Sequence, residues 1–203
     1  MSPLSHDLST ELMTKLGEEC APGPVIAAFA RQLAGRSDPT SVESAGREVF
    51  GDYGTRLMQR TVELGEQYTD RTYEVLKAAA HKTGRLFFPH VAQRFVEIAY
   101  LATQEISTVD IVENNHYRLI NRVTADCVIY RGIGEACGGA VADQMPCRHA
   151  CLSALCALYD ALDLDVDVSQ AALISQDGHC RFVAANNRPH EGTPWKTPSR
   201  ESW

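Results

Sequence analysis

A chain of 203 residues with 44% hydrophobic content carries enough apolar surface for one domain of ordinary size. Its net charge of −7 and the absence of a basic stripe argue against nucleic acid as a partner. No run approaches the ~18 apolar residues of a bilayer span, and the opening Met1-Ser2-Pro3-Leu4-Ser5-His6-Asp7 lacks the cationic and apolar parts of a secretion signal. The expectation is a cytoplasmic protein with no membrane partner, whose thiols stay reduced.

The first half reads as helices. Residues of about 6–19 form a weak one. Val25, Ile26, Phe29 and Leu33 repeat at helical spacing, and Gly35 closes that helix. Thr40 and Glu43 have the spacing of a capping box. Val42, Val49, Tyr53, Leu57 and Leu64 then mark one face of a long helix, in which Gly51 and Gly54 either weaken the helix or permit close packing. Asp70 caps a further helix that Gly84 ends. Pro89 suits the first turn of the next, with Phe95, Ile98, Leu101 and Ala102 facing its core.

The pattern changes after Ile106. Residues 107–113 are rich in β-branched side chains and read as a strand, Asn114-Asn115 as a turn, and 117–123 as a second strand. A helix over 127–136 runs into Gly138-Gly139. Pro146 opens another, with Cys151, Leu155, Leu158 and Leu162 on its buried stripe. Two strands, 166–176 and 179–185, flank Asp177-Gly178, which reads as a hairpin turn. The expected fold is α+β: N-terminal helices, an antiparallel strand pair, two helices and a C-terminal β-hairpin packed around a ligand pocket. It forms one domain over 1–186, helical to about 105 and mixed beyond. Residues 187–203, with Trp195 and Trp203, read as a polar, flexible tail.

No Gly-rich phosphate loop, Gly-x-Ser-x-Gly elbow or His-Glu-x-x-His pair is present. The seven cysteines are therefore the most telling residues. An odd number in a reducing compartment points to buried thiols or ligands, not disulfides. Cys147 and Cys151 are four apart, so a helix places both sulfurs on one face. Four readings follow. The thiols fill a core, as free cysteines commonly do. They bind zinc or an iron–sulfur cluster, with Cys127, Cys180 and His90 completing the set. They attach a haem, with His90 or His116 as the axial ligand. Or one is a nucleophile. Cys147 is the better placed for this, in the first turn of its helix beside Arg148, where unsatisfied amides favour a thiolate.

Glu97, paired with Gln93 at i, i+4, is the candidate acid or base. Glu113 and His116, bracketing the strand turn, are the alternative. Phe95 belongs to an aromatic segment, Phe87 to Tyr100, suited to lining an apolar pocket. His149 lies two residues from each of Cys147 and Cys151, so a regular helix turns it away from both, though it remains a candidate substrate contact. The alternating Asp160, Asp163, Asp165 and Asp167 read as a solvent face.

The run Cys147-Arg-His-Ala-Cys151-Leu, the strand Leu164-Asp-Val-Asp-Val-Ser and the closing Gln176-Asp-Gly-His-Cys180-Arg-Phe182 resemble the C-terminal half of the 4-vinyl-reductase-type small-molecule-binding domain. They also resemble the L-2-amino-thiazoline-4-carboxylate hydrolase family, in which a further cysteine stands where Cys127 does. The likeness covers about residues 85–185. One cysteine common in the first family, eight residues before the last, is Ala172 here. The resemblance implies an α+β fold with a small ligand between sheet and helices, in a homodimer. It also implies a hydrolase of a cyclic amidine or thiazoline-like compound, or a non-catalytic ligand sensor. A more distant likeness, to a c-type haem peroxygenase of saframycin-type biosynthesis with a His-x-x-x-Cys attachment motif, falls on Cys147 and Cys151.

Overall fold

The computed structural model describes residues 6–86, 88–189 and 193–194. Helix starts follow local capping chemistry. α1 (Thr10–Glu19) begins where the Ser9 hydroxyl accepts from the Leu12 amide. α2 (Pro22–Leu33) opens on a proline and ends at Ala34, with Gly35 at φ +82° beyond it. α3 (Pro39–Gln67) is capped by Asp38, whose carboxylate accepts from the Ser41 amide at 2.9 Å. The capping box expected of Thr40 and Glu43 does not form. Pro39 takes the first helical position, for which its fixed φ is suited, so the cap falls one residue before it. Glu43 is left to reach across to α8.

α4 (Arg71–Thr83) is capped by Asp70 and ended by Gly84 at φ +67°. A two-residue strand β1 (Arg85–Leu86) leads to α5 (His90–Thr103). Then come β2 (Asp110–Asn114), β3 (Arg118–Thr124), α6 (Val128–Cys137), the single turn α7 (Gly139–Ala142) and α8 (Arg148–Ala161). β4 (Val166–Ala172), the turn α9 (Ile174–Asp177), β5 (His179–Asn186) and β6 (Thr193–Pro194) close the chain. The α+β expectation holds: four strands form one antiparallel sheet in the order β2-β3-β5-β4, and β1 pairs with β6. The Asp177-Gly178 hairpin is longer than expected. Asp177 closes a helical turn, its carboxylate accepting from the Leu173 amide at 2.9 Å, and Gly178 takes the left-handed conformation after it. Of the tail expected over 187–203, Thr193 and Pro194 pair with β1. Residues 190–192 and 195–203, including both tryptophans, lie outside the described residues.

Two features set the depth of the interior. On α3, Gly46 and Gly54 form a notch that receives the start of α8. A Cβ on Gly54 would lie 2.0 Å from the Ala150 carbonyl oxygen, and one on Gly46 would lie 2.7 Å from the Pro146 Cβ. The backbones of α3 and α8 thus touch, and α8 buries Ala150, Ala154, Leu155 and Leu158. Glu43 fixes the approach from its end, accepting from Arg148 at 2.8 Å and lying 3.1 Å from His149 Nε2. The second feature is a buried ion pair. Arg94, wholly enclosed on α5, donates to Asp70 at 2.6 Å and to the carbonyls of Gly65 and Tyr68 near the end of α3. One guanidinium therefore joins α3, α4 and α5, its hydrogen bonds going to a carboxylate and to carbonyls at the end of α3, with its face over the Tyr73 ring at 4.2 Å.

Among the described residues no helix is long and apolar enough to cross a membrane.

Candidate functional site

The register of β3 on β5 builds the site. Leu119 faces Ala184, Asn121 faces Phe182 and Val123 faces Cys180. In an antiparallel pair, opposed residues share a face, and all six are buried, so this face is the inner one. Four residues past Val123 the chain enters α6 at Cys127. Cys180 and Cys127 are thereby brought under the first turn of α8, which carries Cys147 and Cys151. All four thiols line a single cavity of about 20 Å³ with Tyr100, Gln104 and Phe182 among the other walls. That is room for about one water. A second cavity, of about 30 Å³, adjoins it and shares Tyr100, Gln104, Ile129 and Cys151 as walls. It is lined mostly by apolar side chains of α3, α5 and α8. Of the four thiols, only Cys151 borders both spaces. It is half-buried, and the other three are buried.

Burial controls the thiols. It pushes Cys147 and Cys151 well up, and a charge on any neighbouring sulfur would push them further. It raises Cys127, although the amides of Tyr130 and Ile129 at the start of α6 oppose it, and it pushes Cys180 up to about 11. The thiolate expected of Cys147 at a helix start is therefore corrected. The sulfur does sit at the N-terminus of α8, but desolvation outweighs the helix dipole there. All four sulfurs rest as neutral thiols.

Two polar groups stand over Cys151. Tyr100 is 8% exposed and Asn121 2%. The Tyr100 hydroxyl lies against both the Cys151 sulfur and the Asn121 amide. Yet neither the hydroxyl nor the Asn121 Nδ2 has a well-formed hydrogen-bond partner. A buried donor without a well-formed partner costs up to about 1–3 kcal/mol. Here the two stand close to each other and to the Cys151 sulfur, so an acceptor brought among them would complete their bonding. Gln104, one turn beyond Tyr100, is engaged: its side-chain oxygen accepts from the Val128 amide at 2.9 Å and holds the start of α6.

The other expected site residues divide. Gln93, Glu97, Tyr100 and Gln104 form one stripe along α5. Gln93 donates to Glu97 at 2.6 Å and accepts from Asn114. Glu97 is half-buried, its carboxyl raised by burial, and it lines neither thiol cavity. Phe95 is wholly buried, edge-on to Tyr73 beneath α3 and α4, and belongs to the core, not to a pocket wall. Glu113 is held by Arg118 and Asn115, and His116 is exposed in the turn that follows. His149 is turned to Glu43, away from both neighbouring cysteines, as helical spacing requires. His90 stands at the opposite end of α5 from Tyr100, ten residues and about 15 Å away along the axis.

The metal and haem readings are corrected on the same geometry. Among the described residues no group of three or more His, Cys, Asp or Glu is placed to hold a metal ion. The four sulfurs share a space with room for about one water, too small for an iron–sulfur cluster or a porphyrin. His90 and His116 lie too far along α5 and β3 to reach an iron bonded near Cys147 or Cys151. These residues do not fit zinc, a cluster or haem.

Asn121 was not among the expected site residues, and Tyr100 was expected only as the end of a pocket-lining aromatic segment. Asn121 had a signal: it is the one polar side chain in the inward alternation Leu119, Asn121, Val123. Tyr100 sits seven residues beyond Gln93 and three beyond Glu97, on their stripe. No family model, no curated protein and no solved structure matches this chain.

Proposed function

We propose that this chain is a small-molecule enzyme that hydrolyses a cyclic amidine or thiazoline-like compound, with Cys151 as the reacting thiol. The observation that carries the reading is the meeting of Cys151 with two unsatisfied buried donors, Tyr100 and Asn121, where two cavities join. Because burial raises the Cys151 thiol, its proton has to be taken up as the sulfur adds to the C=N bond. The sulfur bonds to the carbon, and the thiol proton passes to the ring nitrogen through the Tyr100 hydroxyl. The Asn121 amide donates to the substrate atom beside the reacting carbon. The ring C–S bond then breaks, its sulfur leaving as a thiol with the proton returned from the ring nitrogen, so that Cys151 holds an open isothiourea. Water adds across the C=N of that intermediate, and collapse to the urea breaks the bond to Cys151, whose sulfur recovers a proton from the added water. The resemblance of residues 147–182 to the thiazoline-carboxylate hydrolase family supports the same substrate class.

A second reading, a non-catalytic ligand-binding module, is favoured by one fact: burial holds all four thiols protonated. One experiment separates the two. The protein is incubated with 2-amino-2-thiazoline, and ring opening is followed through the thiol it releases. Cys151→Ser should lower kcat at least about 100-fold. Asn121→Leu should keep the fold and lower kcat/KM, because it removes an orphan donor at little cost to stability. Tight binding without turnover selects the second reading. Undiminished turnover by Cys151→Ser sinks the cysteine-centred one.

A further inference from the structure

A concavity much larger than either thiol cavity lies elsewhere. It is a groove of about 480 Å³ where the end of α1, the start of α2 and the middle of α3 meet, within the usual range of small-ligand sites. Its floor is apolar, with Val25, Ala28 and Val49. Its rim carries Glu18, Glu19, Glu48 and Asp52 against one guanidinium, Arg56. Asp52 is paired with Arg56 at 2.8 Å and Glu19 with Arg60 at 2.5 Å. Glu48 meets only the neutral amide of Gln32, and Glu18 makes no hydrogen bond or ion pair among the described residues. Two rim carboxylates are thus left without a cation.

This groove adjoins the thiol site. Tyr53 and Leu57, one turn apart on α3, line both the groove and the apolar cavity that holds Cys151. Tyr53 is held across the junction: its hydroxyl donates to the Cys20 carbonyl at 2.8 Å, and it lies near enough to Cys151 to feel a charge there. Three spaces therefore run in series: the acidic groove, the apolar cavity behind Tyr53 and Leu57, and the thiol cavity behind Tyr100 and Cys151. The inner two are far smaller than the groove, so a ligand entering through the groove reaches Cys151 when Tyr53 and Leu57 yield.

We infer that the groove is the vestibule of the Cys151 site, gated by Tyr53 and Leu57, and that it selects small organic cations with an apolar body over carboxylates. The inference rests on Cys151 being the reacting group of the proposed enzyme, and it deepens that reading. A protonated cyclic amidine without a carboxylate fits the rim. An anionic substrate is repelled by it. Carboxylates lining a concave, partly desolvated mouth raise the local concentration of cations by about tenfold or more at low salt.

The test reads access to Cys151 without requiring turnover. The full chain is exposed to two methanethiosulfonates of similar size, one with a trimethylammonioethyl and one with a sulfonatoethyl group. Modification of Cys151 is timed by peptide mass spectrometry. The cationic reagent should react about tenfold faster at low salt, and the ratio should fall towards one at about 1 M salt, where surface fields are screened. In Glu18→Lys/Glu48→Lys the low-salt ratio should vanish or invert, while the ratio at exposed Cys156 stays as in the parent. Tyr53→Ala should speed both reagents and keep their ratio. Equal rates in the parent at low salt, or a salt-insensitive ratio, overturn the vestibule even if the double variant does not fold. If charge selectivity holds but Cys151→Ser retains full turnover, the catalytic role fails and the vestibule stands.

Discussion

Gly51 and Gly54 lie on the same helix, three residues apart, and replacing each by alanine should change stability in opposite directions. Both substitutions gain helix propensity, about 1 kcal/mol in an interior turn. At Gly51 the new Cβ meets only the Ser153 Oγ at 3.5 Å, an ordinary contact. Gly51→Ala should therefore stabilise the protein by up to about 1 kcal/mol. At Gly54 the Cβ would sit 2.0 Å from the Ala150 oxygen and within 2.9 Å of two further backbone atoms of that residue. Backbone cannot rotate aside as a side chain can, so α8 must move by more than 1 Å to restore van der Waals contact. Overpacking of this kind typically costs 1–3 kcal/mol, and this close an approach belongs at or above the upper end. After the propensity gain, Gly54→Ala should lose about 2 kcal/mol. For a chain of this length that lowers Tm by about 4–8 °C. Urea unfolding of the two variants beside the parent measures both signs. Stabilisation by both alanines would show that α3 and α8 do not touch at Ala150, and the depth assigned to Cys151 would fall with that contact.

The Arg94–Asp70 pair predicts a large loss. Arg94→Ala leaves the Asp70 carboxylate buried beside helix-end carbonyls that have also lost their donor, and should cost about 3–5 kcal/mol in chemical denaturation. Burial alone would raise the Asp70 carboxyl, but the Tyr73 amide and Arg94 outweigh it and hold it below its ordinary 3.8. Its stabilisation is therefore complete above that pH and lost as pH falls below it, and Arg94→Ala should weaken that acid dependence. Glu97 runs the other way. Burial raises its carboxyl above the ordinary 4.5, so its folded state favours the proton and stability falls as pH rises past that value. Glu97→Gln should then raise the urea midpoint at pH 7 and leave it unchanged near pH 4.

The sequence made the helices and the sheet class legible because each rests on local rules: Ser9, Asp70 and Gly84 act where their chemistry directs. Where two local signals competed, tertiary or neighbouring constraints chose. Thr40 and Glu43 had the spacing of a capping box, but Pro39 at the first helical position put the cap on Asp38, a residue that spacing passes over. Asp177-Gly178 carried a turn signal, but the Asp177 carboxylate drew the preceding residues into a helical turn, so the two-residue hairpin did not form. The gathering of Cys127 and Cys180 beneath Cys147 and Cys151 depends on the register of β3 against β5, which no spacing along the chain encodes. His90 and His116 were grouped with the cysteines by residue type alone; the length of α5 separates His90 from them, and His116 lies exposed in the turn between β2 and β3.

The same register explains why the site is costly to build and why its cost falls where it does. The inner face of β3 and β5 is apolar except at Asn121, and α5 places Tyr100 opposite it. An apolar residue at either position would remove an unsatisfied donor and leave the core intact. The chain instead keeps both donors within reach of one half-buried thiol, beside a cavity that shares Tyr53 and Leu57 with a ligand-sized groove. Core thiols such as Cys147 and Cys127 need no such company, since burial alone accounts for them. Cys151 differs from them in its two polar neighbours and its two cavities. Unpaired buried polar atoms also occur at His6, His90 and Tyr159, so the support for the proposed ligand lies in Tyr100 standing against both Cys151 and Asn121, not in the unpaired atoms alone.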